Sequence, residues 1–424
     1  MVSGAVGSCG QMSSEAVSAT RPHDRMAEWL LFGHIISITF LQKFCIEIGG
    51  TPFLLALFSL IGLTGLGLAS RRLELKPKRA LFYMLILSVM TLVQFLNNTP
   101  FSVMSLTLLF TVNFPYIFGL RPGLARPGAE LEFFQKCMAV VAVFGVVQYG
   151  LQFVVGKEWA FFLDVRFPQQ FIMDGFNNLN ELSYGSSTLK SNGFFFLEPA
   201  FFCQFLAISI VIELVYFRNW KRLALYVAGT VVTFSGTGLI ILFALTPVYL
   251  VHHRRFGILL ALFVLVVTAP LWMELVGLGR IVERAQEFTN PHSSAFARFI
   301  SVFYILRDFI AIRPEYILWG RGAGLIRDTV PAAIDYASFD PTWGKLVYEY
   351  GVVGASAYFA FLANLFTSAK RSRYLKAAFL IQFLFLGGYI LPPTVHVLMV
   401  ALLAWPVEDL PKTPACPTKT EETA

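Results

Sequence analysis

The chain has 424 residues, 56% hydrophobic and only 14% charged, with a net charge of +7 and a mean hydropathy of +0.65. Soluble domains carry about a quarter charged residues, so this composition argues against an ordinary soluble protein, and the apolar residues fall in blocks that span a bilayer or nearly so. The positive balance is therefore read as membrane topology and not as nucleic-acid binding, while five scattered cysteines without a CxxC pair argue against a disulfide framework or a thiolate metal site.

Residues 1–26 are read as a cytoplasmic tail; they are polar and small, they lack the pattern of a cleaved signal peptide, and Met26 offers an alternative start. Apolar blocks follow at 27–46, 52–69, 80–96, 102–120, 133–155, 197–217, 223–234, 238–251, 256–272, 347–367, 377–391 and 393–406. Residues 407–424 form a second tail. Lys and Arg cluster at 71–79, 121–126, 218–222, 252–255 and 370–376. The positive-inside rule puts all five clusters in the cytoplasm, which requires twelve spans with both termini inside. It also divides 223–251 into two short helices turning at Ser235–Gly238, because one long helix would send 218–222 and 252–255 to opposite sides. Each short helix is only about 20 Å long, so the turn either lies buried within protein or is a plain tight hairpin. The expected fold is thus an all-α polytopic membrane protein of about twelve helices. Its two long outer loops, 156–196 and 273–346, are where function is expected.

The first outer loop mixes aromatics with Asp, Asn and Gln over Trp159–Lys190, a composition that suits a sugar ligand or an interfacial loop equally. At its end Glu198 precedes Pro199 at the head of the sixth helix. Proline is favoured there, and the helix's positive end stabilises a carboxylate. Glu198 is expected to face Lys190 or an arginine of the second loop, in an orienting role more than as a base. Further along, Glu213 is expected near the cytoplasmic end, reaching headgroups or Arg218.

In the second loop, Arg280–Glu287 reads as an exposed charged helix. Ser293–Ile312 reads as an amphipathic interfacial helix. Its Arg298 and Arg307 lie nine residues apart and so point to opposite sides. Gly320–Gly324 (GRGAG) reads as a flexible turn and not as a nucleotide loop, since no βαβ unit surrounds it. Asp340 either caps the helix beginning near Pro341 or accepts a proton from a hydroxyl. Glu349 is expected inside the tenth span with a basic partner, Arg298 being one choice.

Four segments, Lys190–Ala207 (KSNGFFFLEPAFFCQFLA), Thr233–Leu239 (TFSGTGL), Ser293–Phe299 (SSAFARF) and Asp340–Gly354 (DPTWGKLVYEYGVVG), together resemble the superfamily of bacterial O-antigen ligases and O-antigen or exopolysaccharide polymerases, in the family's order over residues 130–370. The resemblance implies a GT-C-like, metal-independent glycosyltransferase of the inner membrane without cofactors. Its donor would be an undecaprenyl-diphosphate-linked oligosaccharide, with membrane lipid, a chain-length regulator and a flippase as partners and no nucleic acid. It implies that Arg298 holds the donor diphosphate and that Lys190 is the basic residue before the glutamate motif. Arg307 and Arg321 are the further candidates for binding diphosphate or glycan, and Glu198, Asp340 and Glu349 are the candidate catalytic acids. A flippase or transporter is disfavoured because the unusual charges concentrate in one outer loop and no internal repeat is readable between the halves, and two departures from the family pattern favour a polymerase over a ligase. Gly236 stands where members carry arginine, and Asp340-Pro341-Thr342-Trp343 stands where ligases carry a His-Asn pair, the outer loops' single histidine being His292.

Overall fold

The computed structural model describes residues 24–96, 99–182, 185–252 and 289–408, with residues 254, 256, 257 and 268 between them. Every apolar block holds a helix except 256–272, which lies almost entirely outside the described residues, as does Arg280–Glu287. The helices are α1 (Arg25–Phe40), α2 (Leu55–Ala69), α3 (Pro77–Leu96), α4 (Val103–Asn113) and α5 (Ala129–Leu151). Two one-turn helices, α6 (Lys157–Ala160) and α7 (Phe162–Val165), lie in the first long loop. Beyond it come α8 (Pro199–Ile212), which continues as a wide turn to Phe217, α9 (Trp220–Thr233) and α10 (Thr237–His252). After short helices in the second loop, α11 (Ser294–Phe299), α12 (Ser301–Ile305), α13 (Pro314–Trp319) and α14 (Ile326–Thr329), come α15 (Thr342–Ser368), α16 (Arg373–Phe385) and α17 (Pro393–Met399), the last extended by a wide turn to Ala404. Among the described residues strand is confined to two small antiparallel pairs, the hairpin of Cys45–Ile48 with Thr51–Leu54 and the pairing of Leu73–Leu75 with Phe118–Leu120. The Cys45–Leu54 hairpin trims the first two apolar blocks where they adjoin.

Three of these helices, Pro77–Leu96, Pro199–Phe217 and Thr342–Ser368, are long and apolar enough to cross a membrane. The middle one is the core of the bundle, every residue from Pro199 to Ile212 being buried. By contrast α3 leaves Leu81, Met84, Leu92 and Phe95 exposed along its length, a contiguous apolar surface that water would not favour.

The helices start where local chemistry caps them. The Asp24 carboxylate accepts from the Met26 N–H at 2.9 Å. Asn219 Oδ1 accepts from Lys221 and Arg222 at the head of α9, and Ser372 Oγ accepts from Tyr374. Residues α9 and α10 are separate helices, as the charge pattern requires, joined through Phe234 in the left-handed region at φ 46°. Their turn is seated on the first turns of α8. Thr237 Oγ1 donates to the Ala200 carbonyl at 3.1 Å, and a Cβ at Gly238 would collide with the Cys203 backbone. The turn is thus packed on α8 through Thr237 and Gly238, while Gly236 at its tip is exposed.

All five basic clusters meet at one end. Leu73–Leu75 pairs with Phe118–Leu120, joining 71–79 to 121–126. Glu130 beside the second cluster ion-pairs with Arg371 of the fifth, the Ser372 N–H donates to Tyr216 Oη next to the third, and Tyr374 contacts the His252 ring of the fourth. There Arg79 Nη1 donates to the Ala404 carbonyl at 2.7 Å and Arg371 Nε to the Leu402 carbonyl at 2.9 Å, supplying donors that the end of the last helix lacks. Glu213, expected to reach Arg218, instead pairs with Arg222 Nε at 2.7 Å and accepts from the Asn219 N–H.

Candidate functional site

The opposite end of the bundle carries the two long loops and the start of α8. Glu198 is the N-cap residue of α8 with extended backbone, and Pro199 takes the first helical position. Its side chain does not cap the helix. Oε1 accepts from the Asn177 N–H at 3.0 Å, and Oε2 lies 3.6 Å from Arg298 Nη2. Of the two partners expected for Glu198, the arginine of the second loop is the one that forms an ion pair.

Arg298 reaches Glu198 from a short helix. The expected continuous helix over Ser293–Ile312 is interrupted: α11 (Ser294–Phe299) is capped by the Ser293 hydroxyl, Ile300 departs from helical geometry at φ −107°, and α12 (Ser301–Ile305) runs into a wide turn over Leu306–Ile310. Arg298 nevertheless faces inward and Arg307 outward, their side chains being 17% and 65% exposed. The Arg298 guanidinium lies 4.9 Å from the Phe339 ring centroid, a cation–π seat. Phe339 is held there by its N–H donating to the Ala297 carbonyl at 3.0 Å. Arg307 pairs with its neighbour Asp308 and stacks on Tyr304.

Asp340 follows Phe339. It does not cap the next helix: the N-cap is Pro341, α15 begins at Thr342, and no side chain caps it. Its Oδ1 is buried without a hydrogen-bond partner. Burial raises the carboxyl above its ordinary range, against the pull of Lys345 and Arg327. The start of α15 is tied to the turn after α16 by Thr342 Oγ1 donating to the Gly387 carbonyl and accepting from the Tyr389 N–H, each at 2.9 Å. Tyr389 then packs on Phe201 of α8 and donates to Gln204 Oε1 at 2.6 Å, within electrostatic reach of both Glu198 and Arg298. Glu198, Arg298, Phe339 and Tyr389 thus come together from four separate segments, while the Asp340 carboxyl, next along the chain from Phe339, is within electrostatic reach of Lys345, Arg327, Tyr348 and Glu349. Tyr389 has no local signal in the sequence that would have marked it.

Glu349 has a different partner from the one expected. It is fully buried, 3.5 Å from Lys345 Nζ one helical turn away, so the acid is neutralised within its own helix and Arg298 is left to Glu198. The spacing of Lys345 and Glu349 in GKLVYEYG was a readable signal for this pair. Just beyond, α15 breaks at Gly351, whose φ of 63° and ψ of −174° are non-helical. The Gly320–Gly324 segment fits into that break: the Arg321 N–H donates to the Tyr348 carbonyl at 2.8 Å and the Gly322 N–H to the Glu349 carbonyl at 3.1 Å. A Cβ at Gly320 would lie 2.6 Å from the Tyr350 nitrogen. The segment read as a flexible turn is therefore a fitted support for a broken helix. Three glycines with positive φ (Gly320, Gly322 and Gly324) make that approach feasible. Arg321 belongs to this support; its guanidinium stacks on Tyr316 at 5.0 Å and Phe309 at 5.7 Å. The Lys190 N–H donates to the Asn180 carbonyl at 2.8 Å within the first loop.

Chemically, the cluster offers a guanidinium whose described contacts are one long ion pair and one ring face, so most of its five N–H donors are available. A planar fork of this kind binds phosphate oxygens in pairs and stays charged. A half-buried setting strengthens such contacts. Asp340, next to Phe339, supplies a buried carboxylate oxygen with no hydrogen-bond partner. Among the described residues no group of three or more His, Cys, Asp or Glu side chains could hold a metal ion. No family model matches the chain, and no curated protein is detectably similar to it.

Proposed function

We propose that the protein is a polytopic inner-membrane glycosyltransferase. In this reading it extends a polysaccharide on the periplasmic face by transferring glycan from an undecaprenyl-diphosphate carrier to a growing lipid-linked chain. The observation that carries the reading is Arg298, half-buried, held by Glu198 and Phe339 with donors to spare, at the end of the bundle away from all five basic clusters. Basic loops on the cytoplasmic side would put that end outside, where lipid-linked glycans are used. The exposed apolar face of α3 and the three span-length helices support placing about twelve helices in the membrane.

In the proposed reaction Arg298 binds the donor diphosphate and neutralises the charge that develops on the leaving group. Glu198 orients the arginine fork, and Asp340 accepts the acceptor hydroxyl's proton late in the transfer. Asp340 suits that task better than Glu349, whose carboxylate is already paired with Lys345. Lack of the ligase His-Asn pair at 340–343 favours polymerase over ligase.

The test is deletion of the gene, with complementation by wild-type or Arg298→Ala protein and analysis of surface glycan length. Loss of long polymer with accumulation of single-repeat glycan is expected in both the deletion and the variant, with normal amounts of variant protein. Full-length polymer with a well-expressed Arg298→Ala protein would sink the assignment of Arg298. In the deletion strain, long polymer left on the carrier would mark a ligase instead, and repeat units held on the cytoplasmic face would mark a flippase.

A further inference from the structure

We infer that Gln42 and Lys43, together with Asp164, are positioning residues that hold Glu198 against Arg298; the inference rests on that pair being the working site proposed above. Lys43 follows α1, Asp164 lies in α7 of the first long loop, and their side chains are 0% and 1% exposed. Lys43 Nζ donates to both Asp164 oxygens at 2.6 Å. Asp164 Oδ2 also accepts from Asn192 Nδ2 at 3.0 Å, and Asn192 Oδ1 accepts from Gln148 Nε2 of α5 at 3.0 Å. Asn192 opens the segment that leads to Glu198. That segment contains two successive left-handed residues, Gly193 at φ 66° and Phe194 at φ 70°. The phenylalanine is strained in that conformation and needs its surroundings to hold it. The Phe194 N–H donates to Asn192 Oδ1 at 3.1 Å. At the other end of the segment, the Leu197 N–H donates to Gln42 Oε1 at 3.1 Å, one residue before Glu198. Two neighbouring residues at the end of α1 thus grip the segment at both ends.

A buried ion pair is a poor device for stability, because apolar residues of similar volume serve as well or better. What it supplies is a unique register, here for a strained segment whose next residue is Glu198. Residues 42 and 43 carried no signal in the sequence, and Asp164 sat within a loop of mixed composition.

The test uses the Lys43→Met/Asp164→Leu double variant of the full chain in membranes. Protein amount and unfolding temperature are expected to stay near wild type. Labelling of Glu198 by a water-soluble carbodiimide and an amine probe, read by mass spectrometry, is expected to rise about threefold as the ion pair with Arg298 loosens. Long polymer is expected to be lost. Unchanged labelling in the folded variant overturns the inference whatever the polymer does. Raised labelling with wild-type polymer upholds the positioning and removes Glu198 from the reaction, so the two claims fail separately. Should the double variant not accumulate, Gln42→Met serves. The Gln42 Nε2 group already lacks a partner, so the change removes chiefly the acceptor for Leu197. A rise of about twofold is expected, and no rise again overturns the inference.

Discussion

At the basic end of the bundle Arg371 is 1% exposed and fully engaged: Nε donates to the Leu402 carbonyl, Nη1 to the Glu408 carbonyl, and Nη2 pairs with Glu130. At the opposite end Arg298 is 17% exposed, 3.6 Å from its carboxylate, and otherwise rests on a ring face. The same residue type is a structural clamp in one place and a poised binder in the other. The difference lies in donor saturation and burial, and charge alone does not reveal it. An arginine whose donors end on backbone carbonyls and a buried carboxylate has nothing to offer a ligand. One held by a single long ion pair can exchange that contact for phosphate oxygens with little reorganisation.

The largest effect that would sharpen this contrast is expected from Arg371→Ala. It strands Glu130 and the last helix's carbonyls in a buried site and should cost roughly 3–5 kcal/mol. A clear drop in unfolding temperature and in the amount of protein in the membrane would register it. Arg298→Ala should change stability by less than about 1 kcal/mol while abolishing polymer. Equal destabilisation by the two variants would erase the distinction.

Asp340→Asn gives an intermediate, pH-dependent effect. Burial raises this carboxyl above its ordinary value of 3.8, so ionisation is harder in the folded state than in the unfolded one. Wild type is unpenalised below that value and loses stability as pH rises through the folded value. The asparagine variant should therefore unfold at a higher temperature than wild type at pH 7, with the gap closing towards pH 4, yet lose polymer. A gap that instead widens towards pH 4 would contradict the burial argument. The smallest effect is expected from Arg307→Ala. This arginine pairs with its own neighbour in solvent, and neither unfolding temperature nor chain length should change measurably. Loss of polymer there would move the binding site outward along the second loop.

Much of the helical organisation was legible because its causes are local. Apolar blocks, the basic clusters between them, and capping residues such as Asp24, Asn219 and Ser372 lie within a few positions of what they determine. The division of 223–251 followed from charge counting alone. Local rules failed where backbone geometry was decided by a distant partner. Ser293–Ile312 has helical spacing, yet it breaks at Ile300 into two short helices. Gly320–Gly324 looked like a free turn, yet its amides complete a helix that opens at Gly351.

By itself, the sequence determined the apolar helical class, the gathering of basic loops, and the placing of Glu198 with Pro199 at a helix start, since each depends on residue type and spacing. Tertiary structure alone decided that Glu198 meets Arg298 a hundred positions away and that Lys43 reaches Asp164. Periodicity tells which face of a helix is apolar. Which charge meets which depends on how the helices pack, and in a low-dielectric interior each buried charge must find its partner there.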